Sequence, residues 1–485
     1  MQSSLKEKTL SGLLWQFLQR IIGQIFSFAV TVVLARLLMP EDYGVVALAS
    51  MFNVLVGIFI SGSMDAALIQ KKDADELDYN TVFFSSFFMS FVIYAVVFFG
   101  APFFARLYHN EQITPIMRVL ALTMPIGALT MVQNAIVKRN LEFKKLFKAT
   151  FFCNVFSAII GIVMAYKGFG PWALVTQSLM GNLSNSFILF FYVKWTPSLS
   201  FSWERFKSLF SFAWKKTATT FIGTLCGQLK GYLIAGKYTT SDLAYYNRGD
   251  SLPTMVGDNL YGAIDAVVFP VLSKVNDDYN AVKRGMQRMM MTGSYIVVPV
   301  FFGLAAVSDS VVKIVYGPNW LPVIPYMQVA CISSSIGVLS GSNLQAMTAI
   351  GKTGDLLKVE IYKKPIMIAF LTVAVFISPI AIAIAMLLYG FVGFYFNTLP
   401  NKKHLCYPIL EQLNDVKAGF LIGGVMALIV YVVGLYLLNP VLSLFVQIPL
   451  GVTVYVGLSE MFKPKAYVMT KGILLDYFFK RKSSE

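Results

Sequence analysis

The chain has 485 residues, of which 56% are hydrophobic and only 13% are charged. Soluble proteins carry about 25% charged residues, so this composition excludes a soluble globular protein and indicates a polytopic membrane protein. The 40 lysines and arginines exceed the 25 acidic residues and give a net charge of +15. In a membrane protein, an excess of basic residues first indicates which side of the membrane the loops lie on. We therefore expect no nucleic-acid partner.

The first predicted element is a membrane-spanning helix in the stretch from Thr9 to Tyr43. We expect it to end between Leu37 and Gly44, where Pro40 and the following acidic pair stop the apolar run. Its apolar sequence exceeds the roughly 20 residues that a helix needs to cross a bilayer. At helical spacing, however, one face carries a polar stripe. The stripe consists of Gln16, Arg20, Gln24, Ser27 and Thr31. A cation near the bilayer interior is costly, so we expect Arg20 to face a bundle interior or a wet cavity.

The hydropathy pattern predicts thirteen further spans. Five of them complete a first group of six, the next six form a second group, and two more follow at the C-terminus. They are 44–65, 81–107, 113–136, 148–166, 172–193, 211–236, 250–271, 287–307, 322–349, 359–378, 380–399, 416–438 and 440–461. Between the groups, Ser202 to Phe210 is predicted to lie as an interfacial helix. The predicted fold is therefore an all-α polytopic membrane protein of about fourteen transmembrane helices. Its predicted parts are an N-terminal lobe at 1–200, a C-terminal lobe at 201–410, and two helices with a basic tail at 411–485.

Basic residues are distributed unevenly between the two sides of these spans. With the N-terminus inside, 31 of the 40 lysines and arginines fall in the inner segments. The positive-inside rule therefore predicts that both termini are cytoplasmic.

A weak internal repeat relates the two groups of helices at an offset of 200 residues. Leu34 to Ala49 aligns with Ile234 to Gly249, and each segment closes the first helix of its group. Both copies begin inside and run outward. We therefore expect parallel repeats in a pseudo-twofold arrangement, with substrate between the lobes.

Several stretches, in order along nearly the whole chain, resemble one family. They are Ala67 to Asp73, Asn80 to Phe83, Lys138 to Phe143, Gly168 to Val175, Val268 to Asp278, Tyr316 to Trp320 and Gly351 to Lys364. Together they resemble polysaccharide exporters of the colanic acid and teichuronic acid type, in the multidrug/oligosaccharidyl-lipid/polysaccharide (MOP) flippase superfamily. One departure is Gln228-Leu229-Lys230, which lacks the acidic residue that relatives often carry beside the cation of the seventh helix. A buried ion pair is therefore not implied there.

The resemblance implies a V-shaped transporter in the inner membrane. It would pass an undecaprenyl-pyrophosphate-linked oligosaccharide across that membrane by alternating access, for capsule, exopolysaccharide or O-antigen assembly. The expected partners are this lipid-linked oligosaccharide, membrane lipid and the polysaccharide assembly machinery. The sugar and the oligomeric state stay open.

Cationic side chains are the candidate contacts for the substrate's phosphates, because arginine presents a planar fork of donors that suits phosphate. Arg20 is the first candidate, and the alternative is that it extends to the cytoplasmic interface. Lys230 is its counterpart in the second group, with extension to the outer interface as the alternative. For Arg118 and Arg248, exit-side contact and interface anchoring both stay open. The candidate polar lining of the cavity is Gln16, Gln24 and Gln228.

Four acidic residues are candidates for ion coupling or gating. Asp258 and Asp265 are seven residues apart, hence on one helical face, where they would bind H⁺ or Na⁺ or would pair structurally. Asp65 and Glu360 lie near the cytoplasmic ends of their spans and are candidate gates or loop anchors. No metal and no other cofactor is expected.

Two further functions compete with the flippase. The first is an ion-coupled multidrug exporter of the same superfamily. The second is an enzyme: a membrane glycosyltransferase, polymerase or ligase. Those enzymes generally need a catalytic residue in a sizeable extramembrane loop, and the predicted outer loops are short. We therefore predict that the protein is not an enzyme.

Overall fold

A computed structural model describes residues 2–61, 64–71 and 73–472 of the chain. Its helices follow one another through short turns. They are α1 Gln2–Leu37, α2 Pro40–Ser61, α3 Met64–Gln70, α4 Glu76–Leu107, α5 Ile113–Ala121, α6 Thr123–Ala128, α7 Met131–Arg139, α8 Phe143–Tyr166, α9 Trp172–Tyr192, α10 Trp203–Lys237, α11 Thr240–Ser273, α12 Tyr279–Ala306, α13 Ser308–Val315, α14 Val323–Ala349, α15 Thr353–Ala374, α16 Pro379–Leu405, α17 Ile409–Leu435 and α18 Pro440–Phe462.

Each predicted span coincides with helical structure, and the prediction of an all-α polytopic membrane protein is confirmed. Within the described residues, ten helices are long and apolar enough to cross a membrane, or eleven if the bent segment Ile113–Arg139 is one span. Three further long helices, α9, α10 and α15, match the remaining predicted spans. The sequences of α10 and α15 carry several charges in their first turns, which lowers their hydropathy.

The end of the first helix agrees with the prediction. It ends at Leu37, and Pro40 begins the next helix. Proline is tolerated in the first turn, where its missing N–H has no helical acceptor. The segment from Ser202 to Phe210 is not a separate interfacial helix but leads directly into α10. The hydroxyl of Ser202 caps that helix by accepting from the backbone N–H of Arg205 at 3.3 Å.

The internal repeat has a structural counterpart at the two turns that it predicts. The backbone N–H of Met39 donates to Asp42 Oδ2 at 3.0 Å, where α1 gives way to α2. The backbone N–H of Thr239 donates to Asp242 Oδ2 at 3.1 Å, where α10 gives way to α11. An acidic side chain therefore caps the second helix in both copies, 200 residues apart.

The chain separates into two compact units, Met1–Ala244 and Tyr245–Glu485, here called unit 1 and unit 2. In unit 1, α8 packs against both α1 and α9, and α10 packs on α2, α3 and α4. In unit 2, α12 is central and packs against α14 and α17. The predicted domain limits at 200 and 410 stay predictions.

Candidate functional site

Arg20 lies on a face of α1 that does not pack against the neighbouring helix. The packed face meets α8 through Gln19, whose Nε2 donates to Thr150 Oγ1 at 3.3 Å, and through Trp15, whose ring centroid lies 5.4 Å from that of Phe147. Each residue turns the helix by about 100°, and the side chain of Arg20 is exposed. Arg20 therefore lies about 100° around the helix from Gln19, which contacts α8.

The structure describes the side chains of two of the three glutamines predicted to line the cavity. Gln24 on α1 and Gln228 on α10 are both half-buried. The side chain of Gln16 lies outside the described part of the structure. The roles predicted for all three stay predictions.

Lys230 is half-buried on α10, next to a close contact with α2. A Cβ added to Gly231 would lie 2.3 Å from Met51 Cε, so only glycine permits this approach without a shift of the methionine. The rings of Tyr232 and Phe52 lie 4.9 Å apart on the same two helices. This stretch of α10 is therefore held firmly on α2.

Arg118 and Arg248 are both half-buried. The Nε of Arg118 donates to the backbone carbonyl of Phe98 at 3.0 Å, and its guanidinium lies 4.1 Å from the centroid of the Phe98 ring. Such a cation–π contact contributes about 0.5–2 kcal/mol. These contacts favour the anchoring alternative for Arg118. Arg248 lies on α11 within unit 2.

Asp258 and Asp265 both lie on α11 but differ in their surroundings. Asp258 is exposed, whereas Asp265 is half-buried. Between them, the hydroxyl of Tyr261 donates to the Ser334 carbonyl, also on α14. This tyrosine therefore helps to fasten α11 to α14, and the roles predicted for Asp258 and Asp265 stay predictions.

Glu360 neutralises a lysine that is buried inside unit 2. Its carboxylate forms an ion pair with Lys363, which is only 5% exposed, and lies 3.7 Å from the ammonium of Lys364. Lys363 also donates to Asn397 Oδ1 at 3.0 Å. A buried ammonium is tolerated when it is paired and hydrogen-bonded. These contacts suit the anchor alternative for Glu360.

A network of buried amides joins the helices of unit 2. Asn343 Nδ2 donates to Gln412 Oε1 at 2.9 Å, and Gln412 Nε2 donates back to Asn343 Oδ1 at 3.1 Å. Asn401 Nδ2 donates to the Asn343 carbonyl at 3.2 Å. Sequence analysis did not identify Gln412, Asn401 or Lys363. The one signal in the sequence that could have identified these three residues is their position, as polar side chains inside or beside apolar spans.

A buried carboxylate at the start of α4 also escaped sequence analysis. Asp78 has a side chain with 0% exposure and accepts from Lys71 Nζ at 2.6 Å and Arg205 Nη1 at 3.1 Å. Asp78 and Asp75 cap the helix reciprocally, each side chain accepting from the other's backbone N–H. The backbone amide of Asp78 lowers the pKa of Asp75, and the charges of Arg205 and Lys71 lower it further. We call Lys71, Asp75, Asp78 and Arg205 the acidic clamp.

The connector that precedes α10 is fastened to the same end of α4. The Trp195 indole N–H donates to Glu76 Oε2 at 2.8 Å. The Ser198 backbone N–H donates to Asn80 Oδ1 at 2.9 Å, and Asn80 Nδ2 donates to Ser198 Oγ at 2.7 Å. The acidic clamp and these contacts together fix where α10 begins.

Asp65 lines a cavity of about 530 Å³ that lies wholly within unit 1. We call it the polar slot, and it is formed by α2, α3, α6 and α7. Its polar lining residues are Asn53, Asp65, Thr123, Asn134 and Lys138. Asp65 is half-buried, and its predicted role as a gate stays a prediction.

A second cavity, of about 480 Å³ and almost entirely apolar, lies in unit 2. We call it the apolar groove, and it is formed by α11, α12, α17 and α18. Gln447 is part of its lining, but its Nε2 donates to the Val430 carbonyl at 2.9 Å and its Oε1 accepts from Ser443 at 2.8 Å. The polar atoms of Gln447 are therefore satisfied by protein, and the groove suits a hydrocarbon chain.

Comparison with known proteins gives one consistent result. Residues 33–325, more than half of the chain, match the family described as "Polysaccharide biosynthesis protein". The chain is 22% identical over 352 residues to the teichuronic acid biosynthesis protein TuaB of Bacillus subtilis (strain 168), covering 72% of this chain and 73% of that protein. It is 24% identical over 363 residues to the lipopolysaccharide biosynthesis protein WzxC of Escherichia coli (strain K12), covering 72% of each.

A solved structure shares the fold over almost the full length. The lipid II flippase MurJ, in an inward closed conformation, matches with a TM-score of 0.70 at 16% identity, covering 93% of this chain and 98% of that chain. The likeness extends over both units.

Proposed function

Because the chain belongs to the family of polysaccharide biosynthesis proteins, we propose that it is a flippase for a lipid-linked oligosaccharide. It moves undecaprenyl-pyrophosphate-linked oligosaccharide across the inner membrane by alternating access, and so supplies capsule, exopolysaccharide or O-antigen assembly. The observation that carries this proposal is the family match together with a flippase fold over 93% of the chain. No catalytic step is proposed, since the reaction is transport of an intact lipid.

Two chemically different surfaces suit the two ends of such a substrate. The pyrophosphate carries negative charge, for which Arg20, Lys230 and Arg248 are the proposed contacts. The polyprenyl tail is pure hydrocarbon, and the apolar groove of unit 2 offers about 480 Å³ for part of it. Neither the apolar surface of the groove nor the hydrocarbon tail carries polar groups that would lose hydrogen bonds to water. Binding of the tail in the groove therefore has little polar desolvation cost.

The remaining features of the proposal concern energy and topology. Proton or sodium coupling is assigned to Asp258 and Asp265, because acidic residues in a membrane-spanning helix are the usual carriers of such ions. Both termini are proposed to be cytoplasmic, since basic residues concentrate on that side of the spans. The polysaccharide assembly machinery is the proposed protein partner.

Deletion of the gene tests the proposed function in cells. We expect loss of one surface polysaccharide and accumulation of its undecaprenyl-pyrophosphate-linked oligosaccharide, because synthesis continues while translocation stops. Lipid extracts analysed by mass spectrometry measure the accumulation, and re-expression from a plasmid must reverse it. Unchanged polysaccharide together with raised drug sensitivity would instead identify a multidrug exporter.

A further inference from the structure

The polar slot is an open volume, and two glycines contribute to its space. On α2, Asn53, Gly57 and Ile60 recur at helical spacing and face the slot over about 10 Å of helix. Gly127 lies across from them on α6. An added Cβ at Gly57 or Gly127 would have no atom within 4 Å. Neither glycine is therefore required for close helix packing. Instead, the missing side chain at each position enlarges the slot.

The groups that line the slot are mainly hydrogen-bond acceptors. Asn53 Oδ1 is buried, and within the described residues no donor reaches it. Asp65 adds a carboxylate, and Asn134 turns its Nδ2 toward its own helix, donating to the Thr130 carbonyl at 2.9 Å. A carboxylate accepts hydrogen bonds and donates none when ionised, so a ligand rich in O–H groups complements this lining.

The size of the slot distinguishes between the possible ligands. A bare monovalent or divalent cation needs oxygens in direct contact on all sides, which a volume of about 530 Å³ does not supply. That volume falls within the range of roughly 300–1,000 Å³ that small-molecule sites occupy. A hydrocarbon chain is excluded by the carboxylate of Asp65 and the ammonium of Lys138, which it would strip of water.

We propose that the polar slot binds sugar units of the lipid-linked oligosaccharide. This inference rests on the proposed function and adds a headgroup site to it. Sugar hydroxyls donate to the Asp65 carboxylate, and they accept from the exposed ammonium of Lys138. The slot therefore recognises the oligosaccharide, separately from the phosphate contacts assigned to Arg20.

Binding of two lipids to purified full-length protein tests this proposal. The first probe is the undecaprenyl-pyrophosphate-linked oligosaccharide extracted from cells that lack the gene, and the second is undecaprenyl pyrophosphate without sugar. The variants are Asp65→Asn, which weakens an acceptor, and Gly127→Trp, which fills the slot. The matched controls are Gly127→Ala and Gly457→Trp, because Gly457 is exposed on α18 and has equally open space.

We expect Asp65→Asn and Gly127→Trp each to weaken binding of the sugar-bearing lipid at least tenfold. Binding of undecaprenyl pyrophosphate should stay within twofold of wild type, as should both lipids on the control variants. Wild-type affinity of both variants for the sugar-bearing lipid would overturn the proposal, and so would an equal loss of both lipids. Failure of the wild-type protein to bind either lipid would instead overturn the proposed function itself.

Discussion

Replacing Arg20 by alanine is expected to reduce surface polysaccharide at least tenfold while the amount of protein in the membrane stays unchanged. Hydrogen bonds between charged groups contribute about 1.5–3 kcal/mol each, which corresponds to roughly 10- to 100-fold in binding. The exposed side chain of Arg20 lies off the α1–α8 contact, so its truncation removes little packing. Quantitative assay of surface polysaccharide and immunoblotting of membranes measure the two effects.

Two further variants make the Arg20 result specific. Arg20→Lys keeps the charge but loses the planar fork, so we expect an intermediate level of export. Lys167→Ala removes another exposed cation of unit 1, at the end of α8, and should leave export unchanged. Normal export by Arg20→Ala would refute its role in phosphate contact.

Removing both cations of the acidic clamp is expected to destabilise unit 1 strongly. Asp78 is fully buried and accepts from Lys71 and Arg205, so Lys71→Ala or Arg205→Ala alone leaves it one cationic partner. The double variant leaves an uncompensated buried carboxylate, which costs about 3–5 kcal/mol. We therefore expect the double variant to lose more stability than the two single variants together, as measured by thermal unfolding in detergent.

A triple variant separates the buried charge from simple loss of contacts. Adding Asp78→Ala to the double variant removes the uncompensated anion, so stability should partly return. Lys145→Ala breaks an exposed ion pair with Glu142 and should change stability by less than about 1 kcal/mol. A double variant as stable as wild type, or a triple variant no better than the double, would contradict this account of Asp78.

The helices were predictable from sequence because long apolar runs and proline breaks are local signals. Pro40 marks the end of α1, and the spans predicted from hydropathy coincide with helices of the described structure. The span at 113–136 is bent by 45° at the break between Ala128 and Met131. That bend follows Pro125, and the residues on both sides of it line the polar slot. Local hydropathy carries no information about such a space.

The polar sites were less predictable because their members are distant in the chain. From sequence, Lys71 lies in a predicted loop and Arg205 in a predicted interfacial helix, and only the fold brings them to the buried Asp78. Asn343 and Gln412 are 69 residues apart yet form two hydrogen bonds. Single polar residues such as Arg20 were identifiable, since one arginine in an apolar helix is already conspicuous.

Translocation by purified protein in proteoliposomes tests the flippase most directly. The lipid-linked oligosaccharide that accumulates in the deletion strain is radiolabelled and incorporated into both leaflets, and a membrane-impermeant periodate treatment measures the outer fraction. We predict that vesicles without protein expose about half of the label, whereas vesicles with the protein expose nearly all of it as lipid crosses during treatment. An exposed fraction that stays at about half with active, correctly folded protein would contradict the flippase function.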